Sequence, residues 1–161
     1  MTLLPFFKRM NLVFLLILFI CSCSNEATSQ YVPVNRFDPK RDAAKDIADA
    51  VKNAQKSNKR IILDVGGDWC SWCHKLDKFF EDNEDIKEFL GNHFIVVKIN
   101  YSKENKNEAV LSKYPQIPGY PHLFVLESNG TFLYSQDTGA LESGDRHGRD
   151  KVFAFLKKWA K

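Results

Sequence analysis

Beyond a short leader, apolar positions recur along this chain in two rhythms, one helical and one continuous. Behind Asp38-Pro39, which resembles an N-cap with proline at the first helical position, Ala44, Ile47, Ala48, Val51 and Ala54 fall on one face. The pattern predicts a helix to about Lys56, with Lys45, Asp46, Lys52 and Lys56 on its solvated side. Lys59 to Val65 reads as a buried strand, a β-branched run closed by Gly66-Gly67. Cys73, Leu76, Phe79 and Phe80 return to helical spacing, and Ile86, Phe89 and Leu90 mark a further short helix ending at Gly91.

His93 to Tyr101 is a second buried strand, reached through a helical crossover and hence expected parallel to the first. A charged loop, Ser102 to Asn107, leads to a short helix from Glu108 to Tyr114. His122 to Glu127 and Thr131 to Ser135 form a hairpin around Ser128-Asn129-Gly130. A last helix from about Arg149 carries Val152, Phe155, Leu156 and Trp159 inward. Helices and strands alternate, so the fold class is α/β.

The first residues stand apart. Lys8 and Arg9 precede an apolar run from Leu12 to Ile20, too short for a comfortable membrane span and shaped like a signal peptide. Ile20-Cys21-Ser22-Cys23 puts Ile at minus three and Ser at minus one before Cys23, which resembles a bacterial lipoprotein cleavage site; cleavage before Cys21 would need Ile at minus one. The expected organisation is a signal over 1–22, a lipidated Cys23 with a polar tether to 37, and one domain over 38–161. That domain would face the periplasm from a membrane, and Ser24 after the lipid cysteine leans toward the outer one by resemblance. All export readings deliver it to a compartment where disulfides persist.

Charge adds an exclusion. Of the 23 Lys and Arg, two lie in the leader, leaving 21 against 20 Asp and Glu, and this near-neutral balance gives no electrostatic argument for a nucleic-acid partner. With Cys21 removed and Cys23 acylated, Cys70 and Cys73 are the only thiols of the 4 cysteines left to the domain.

Those two cysteines occupy Trp69-Cys70-Ser71-Trp72-Cys73-His74, between a strand and a helix. CxxC alone allows a redox disulfide, a shared metal or a haem. Its placement puts Cys70 near a helix N-terminus, where unpaired N–H groups and the macrodipole favour a thiolate. Cys-Ser-Trp-Cys-His is also the attachment pattern of a c-type haem, which would make the protein an electron carrier. Zinc would need His93, His122 or His147 to complete the site, since no second CxxC exists, and neither metal nor cofactor is expected. A third reading is a binding module that uses the groove without turnover.

The sequence around the pair resembles the thioredoxin superfamily. Asp64 lies six residues before Cys70, Trp69 immediately precedes it, and Ile117-Pro118-Gly119-Tyr120-Pro121-His122 falls where that family has its cis-proline strand. Ser128-Asn129-Gly130 is similar to its hairpin turn, and Gly139-Ala140-Leu141 to its loop beside the active site. The resemblance covers roughly residues 40 to 161. It implies a thioredoxin-like fold with a central mixed β-sheet flanked by helices, and thiol–disulfide oxidoreductase activity on exported proteins, served by a membrane or periplasmic redox partner.

Within that frame Cys70 is the expected nucleophile and Cys73 the resolving thiol. Trp69, Trp72, Tyr120, Pro121, Gly139 and Ala140 are the expected substrate-binding positions. A cis Tyr120–Pro121 bond would turn the Tyr120 backbone toward a substrate strand. Asp64, on a strand buried on both faces, is expected to be desolvated and to hold its proton, and so to serve Cys73 as general base. Ser71-Trp72 supplies no cation to stabilise a thiolate, which favours a reductase or isomerase over a strong oxidant.

Overall fold

A computed structural model describes residues 31–161. The expected signal and Cys23 lie outside the described residues. Helix α1 (Ala43–Ser57) leads into strand β1 (Arg60–Gly66), then helices α2 (Ser71–Asp82) and α3 (Glu84–His93) and strand β2 (Phe94–Asn100). A single turn, α4 (Glu108–Leu111), precedes the hairpin β3 (His122–Leu126) and β4 (Phe132–Asp137). A 3-10 turn (Thr138–Leu141), a two-residue hairpin β5 (Glu142–Ser143) and β6 (Arg146–His147), and α5 (Arg149–Trp159) complete the chain.

The sheet order is β2-β1-β3-β4, with β1 parallel to β2 and antiparallel to β3, and β3 antiparallel to β4. This is the expected mixed sheet. Its centre is β1, buried from Ile61 to Gly66, and alternation sends successive side chains to opposite layers. Ile61, Leu63 and Val65 pack with Ala43, Ala50 and Ala54 of α1. Ile62 packs with Leu76 of α2, Ile86 of α3 and Val152, Phe155 and Leu156 of α5. Asp64 shares the Ile62 face, lining the same small cavity of about 20 Å³ with Leu76 and Phe80. The strand therefore aims one carboxyl at the layer that holds the cysteine helix.

Four local expectations are corrected. The first helix starts at Ala43, and its N-cap is Asp42, whose carboxylate accepts from the Lys45 amide at 3.1 Å; Asp38 instead closes a turn over Lys40. Its inward face is rotated accordingly, with Ala43, Ala50 and Ala54 buried and Ala44 and Ala48 exposed. Asp46 is not solvated: it is 6% exposed and accepts from the Arg41 guanidinium at 2.7 and 2.5 Å. Helix α3 runs through Gly91 to His93, because the Phe94 amide still reaches the Leu90 carbonyl.

Ahead of α1, polarity suggested a tether, yet its last residues join the body. Val34 bridges Val97 beside β2, its carbonyl accepting from the Lys98 amide at 3.1 Å, and Phe37 is 4% exposed. No helix among the described residues is long and apolar enough to cross a membrane.

Candidate active site

The strand β1 ends and α2 begins within five residues, and Cys70 is the hinge between them. It is the N-cap of α2, with extended backbone, and its Sγ accepts from the Cys73 amide at 3.1 Å. One of the helix's orphan N–H groups is thus spent on sulfur, the geometry that favours a thiolate when the pair is reduced. Cys70 and Cys73 are joined by a disulfide, S–S 2.10 Å. Both are buried, Cys70 at 4% exposure and Cys73 at 1%, so Cys70 is the less covered of the two.

Gly66 sets how closely the helix can approach the strand. A Cβ there would overlap the Cys73 sulfur and lie 3.0 Å from the Phe37 ring, so only glycine lets that sulfur rest on the strand backbone. Phe37 completes this pocket, forming one cluster with the two cysteines against which Trp72 and Tyr120 pack.

Two residues before Gly66, on the same face of β1, Asp64 opens a buried charge network. Lys98 is the register partner of Asp64 across the parallel β1–β2 pair, so both side chains leave the sheet on one face. Its Nζ donates to Asp64 Oδ2 at 2.8 Å and to Asp77 Oδ1 at 2.6 Å, and lies 4.2 Å from the Phe37 ring centroid. Asp77 stands one helical turn after Cys73, on the same face of α2. Asp64 is 5% exposed, and its Oδ1 has no partner among the described residues. Burial pushes the Asp64 carboxyl above the usual carboxylate range, against the opposing pull of Lys98. Burial works against the Lys98 ammonium, but the two carboxylates outweigh it and hold Lys98 protonated.

The aromatic rim follows from three contacts. Trp69 is 58% exposed, anchored by its indole N–H to the Tyr101 carbonyl at 2.7 Å. Tyr120 meets it edge-on at 5.5 Å and stacks on Tyr101 at 4.9 Å. Burial and Tyr101 push the Tyr120 phenol up to about 12, so it stays neutral. The Tyr120–Pro121 peptide is cis, as the sequence suggested, and Pro121 is buried.

Trp72 and Tyr120 thus reach the cysteine cluster directly, and Trp69 through Tyr120. Gly139 and Ala140 are exposed on the 3-10 turn, tied to the proline segment by Thr138, whose hydroxyl donates to the Pro121 carbonyl at 2.5 Å. His74 turns its Nε2 to the Asp68 carbonyl at 2.8 Å. The zinc candidates are dispersed: His93 faces the Lys161 carbonyl at 2.8 Å, His122 faces Ser135 Oγ at 2.7 Å, and His147 packs on Trp72. No group of three His, Cys, Asp or Glu among the described residues is placed to hold a metal ion.

Phe37, Gly66, Asp77 and Lys98 were not singled out from the sequence. Lys98 carried a usable signal, a lone cation inside Phe94-Ile95-Val96-Val97-Lys98-Ile99. Asp77 carried one too, four residues after Cys73 on the helix.

Comparison with known proteins agrees with this geometry. The chain is 27% identical over 95 residues to "Disulfide bond reductase DsbH" of Chlamydia pneumoniae, covering 53% of this chain and 57% of the relative. It is 26% identical over 77 residues to "Thiol:disulfide interchange protein DsbD" of Salmonella typhi, covering 48% of this chain and 13% of that one. The chain therefore spans about half of one curated relative and a small part of the other. Among solved structures, the disulphide isomerase from Xylella fastidiosa Temecula1 superposes with a TM-score of 0.66 at 25% identity, over 79% of this chain and 97% of that one. A family profile described as Thioredoxin-like matches residues 42–128, which hold β1, the cysteine pair, the Asp64–Lys98 pair and the cis-proline segment, and the chain belongs to that family.

Proposed function

We propose that the protein is a thiol–disulfide oxidoreductase acting on exported proteins as a reductase or isomerase. The observation that carries this reading is a CxxC pair whose first sulfur caps a helix and whose second rests on Gly66, two residues along the same face of β1 from the buried Asp64–Lys98 pair. In the reducing direction, the Cys70 thiolate attacks one sulfur of a substrate disulfide, forming a mixed disulfide and releasing the other sulfur as a thiolate that takes up a proton. Cys73 then loses its proton, attacks Cys70 Sγ and releases the second substrate thiol. Two electrons pass to the substrate, and the Cys70–Cys73 disulfide is left for a redox partner to reduce.

Asp64 is the base we assign to the second step. It shares the face of β1 with Gly66, on which the Cys73 sulfur rests, and burial has raised its proton affinity toward that of a working base. Lys98 is a positioning residue, since it holds Asp64 and Asp77 together and touches no sulfur partner. The reductive direction rests on the surroundings of Cys70: among the described residues its sulfur accepts only from the Cys73 amide, with no cation donating to it. Trp69, Trp72, Tyr120, Pro121 and the Gly139-Ala140 turn form the proposed substrate rim, and Cys23 the proposed lipid attachment that would hold the domain at a membrane, the outer one favoured.

Mass measurement of the purified domain before and after reductant and alkylation tests the function. A gain of two alkyl groups on reduction, with catalytic reduction of a protein disulfide, supports it. A fixed adduct with a Soret band would replace it with a haem carrier, and full alkylation without turnover would leave a binding module. For the anchor, unchanged membrane fractionation of Cys23→Ala would refute lipidation there.

A further inference from the structure

Trp72 has two sides, and only one faces the cysteines. Its other side meets the β5–β6 hairpin: the ring stands edge-on to His147 at 5.4 Å, and Lys75 Nζ lies 4.1 Å from its centroid. Beyond it opens a groove of about 660 Å³ between the outer length of α2 and that hairpin, running on to the start of α5. From Trp72 to Asp82 the helix rises about 15 Å, the reach of four or five extended residues.

The charge of this groove is uneven. Its walls carry four cations, Lys75, Lys78, Arg146 and Arg149, against two carboxylates, Asp82 and Asp145. Lys78 is spent on Asp82 at 2.9 Å, and Arg149 on Asp85 at 2.5 Å. Lys75 donates to the Asp145 backbone carbonyl at 2.6 Å and meets no carboxylate, and Arg146 forms no ion pair or side-chain hydrogen bond among the described residues. Lys75 springs from α2 beside Trp72 and reaches the hairpin at Asp145, the residue before Arg146, so the two cations converge on one stretch of the groove.

The hairpin wall of the groove is itself packed in place: His147 is 3% exposed and stands edge-on to both Trp72 and Phe79 of α2.

We propose that this groove docks an acidic segment of the protein whose disulfide meets Cys70, with its carboxylates between Lys75 and Arg146. The inference rests on the oxidoreductase reading and deepens it by naming the class of substrate. Trp72 then stands between the two sites, touching the cysteine cluster on one side and Lys75 and His147 of the groove on the other, so a substrate can engage both along one stretch of chain.

The test uses three matched peptides, with Glu-Glu, Gln-Gln or Lys-Lys four residues from the cysteine. Dye-labelled, cysteine-free versions are titrated by fluorescence anisotropy into the oxidised protein, which tests the groove without turnover. Their disulfide versions are then reduced by the reduced protein. We expect the Glu peptide to bind and react about tenfold better at low salt, as electrostatic guidance at an exposed site allows, with the preference lost at high salt. In the Lys75→Gln/Arg146→Gln variant the Glu-to-Gln ratio should fall toward one. In Lys75→Glu/Arg146→Glu the Lys-Lys peptide should bind better than the Gln-Gln one and the Glu-Glu peptide worse, a gain that misfolding cannot mimic.

Equal binding of the Glu-Glu and Gln-Gln peptides by the unaltered protein would overturn the proposal, as would a preference that survives both double variants. So would capture by anionic phospholipid vesicles through the same two cations with a peptide ratio of one. Failure to reduce any of the peptides, with the binding preference intact, would instead refute the oxidoreductase reading and leave the groove standing.

Discussion

Lys98→Met isolates the buried ion pair, because methionine keeps the length and the contact with Phe37 while removing the charge. Asp64 would then be 5% exposed with neither oxygen paired to a cation. Stranding a buried charge costs about 3–5 kcal/mol. Asp64 can escape by taking a proton, but from an unfolded value of 3.8 this costs about 1.4 kcal/mol per pH unit, roughly 6 kcal/mol at pH 8 and under 2 at pH 5. At pH 8 stranding is the cheaper state, and at pH 5 protonation is.

The sign follows. An acid whose folded pKa lies above its unfolded one is protonated in the folded state where the unfolded chain has ionised, so stability falls as pH rises through that window. Asp77 adds under about 1 kcal/mol, being 38% exposed and screened by water. Urea unfolding of the oxidised variant should show a loss of about 3–5 kcal/mol at pH 8 and about 2 at pH 5, with m unchanged. Adding Asp64→Asn should restore most of the loss and flatten its pH dependence. An equal loss at both pH values, or no recovery in the double variant, would show that Lys98 acts through packing rather than charge.

Further outcomes follow from other contacts. Asp64→Asn should leave capture by Cys70 little changed but slow release of the mixed disulfide on the order of 10²-fold and remove its pH dependence; equal release rates by quenched-flow would make Asp64 structural. Gly66→Ala should cost about 1–3 kcal/mol in chemical denaturation, since the new methyl must displace the Cys73 sulfur or Phe37; a neutral result would mean the helix can recede. Glu127, held down to about 2 by Lys161, the Ser128 amide and Arg60, contributes stability present above the unfolded value of 4.5 and lost as pH falls from there to about 2. Glu127→Gln should therefore flatten acid unfolding across that window, and an unchanged curve would refute the assignment.

How far the sequence carried the site depends on the physics behind each residue. Asp64 sits on β1, the cysteine pair at the start of α2 and the cis-proline segment just before β3, where burial of a continuous apolar run fixes the strand and so places what adjoins it. The inward face of α1 differs from the periodic one because alanine is small enough to be buried or exposed; Ala43 and Ala50, not Ala44 and Ala48, pack with Ile61, Leu63 and Val65 of β1, a contact periodicity does not encode. Phe37 was assigned to the tether because its neighbours are polar, whereas its burial comes from Cys73, Gly66 and Lys98, all distant in sequence. The β5–β6 hairpin has two residues per strand, too few for alternation to register, and the His147 environment forms only when that hairpin lies against α2. Lys98 could be placed by logic alone: a cation in a buried strand needs an anion, and a parallel neighbour carrying the only acid of its run supplies one in register. Residues whose role is set by their own element are therefore readable in advance, while those set by a second element need the register between the two. The chemistry proposed at Cys73 draws on the second kind, through Gly66 on β1, Lys98 on β2 and Asp77 on α2.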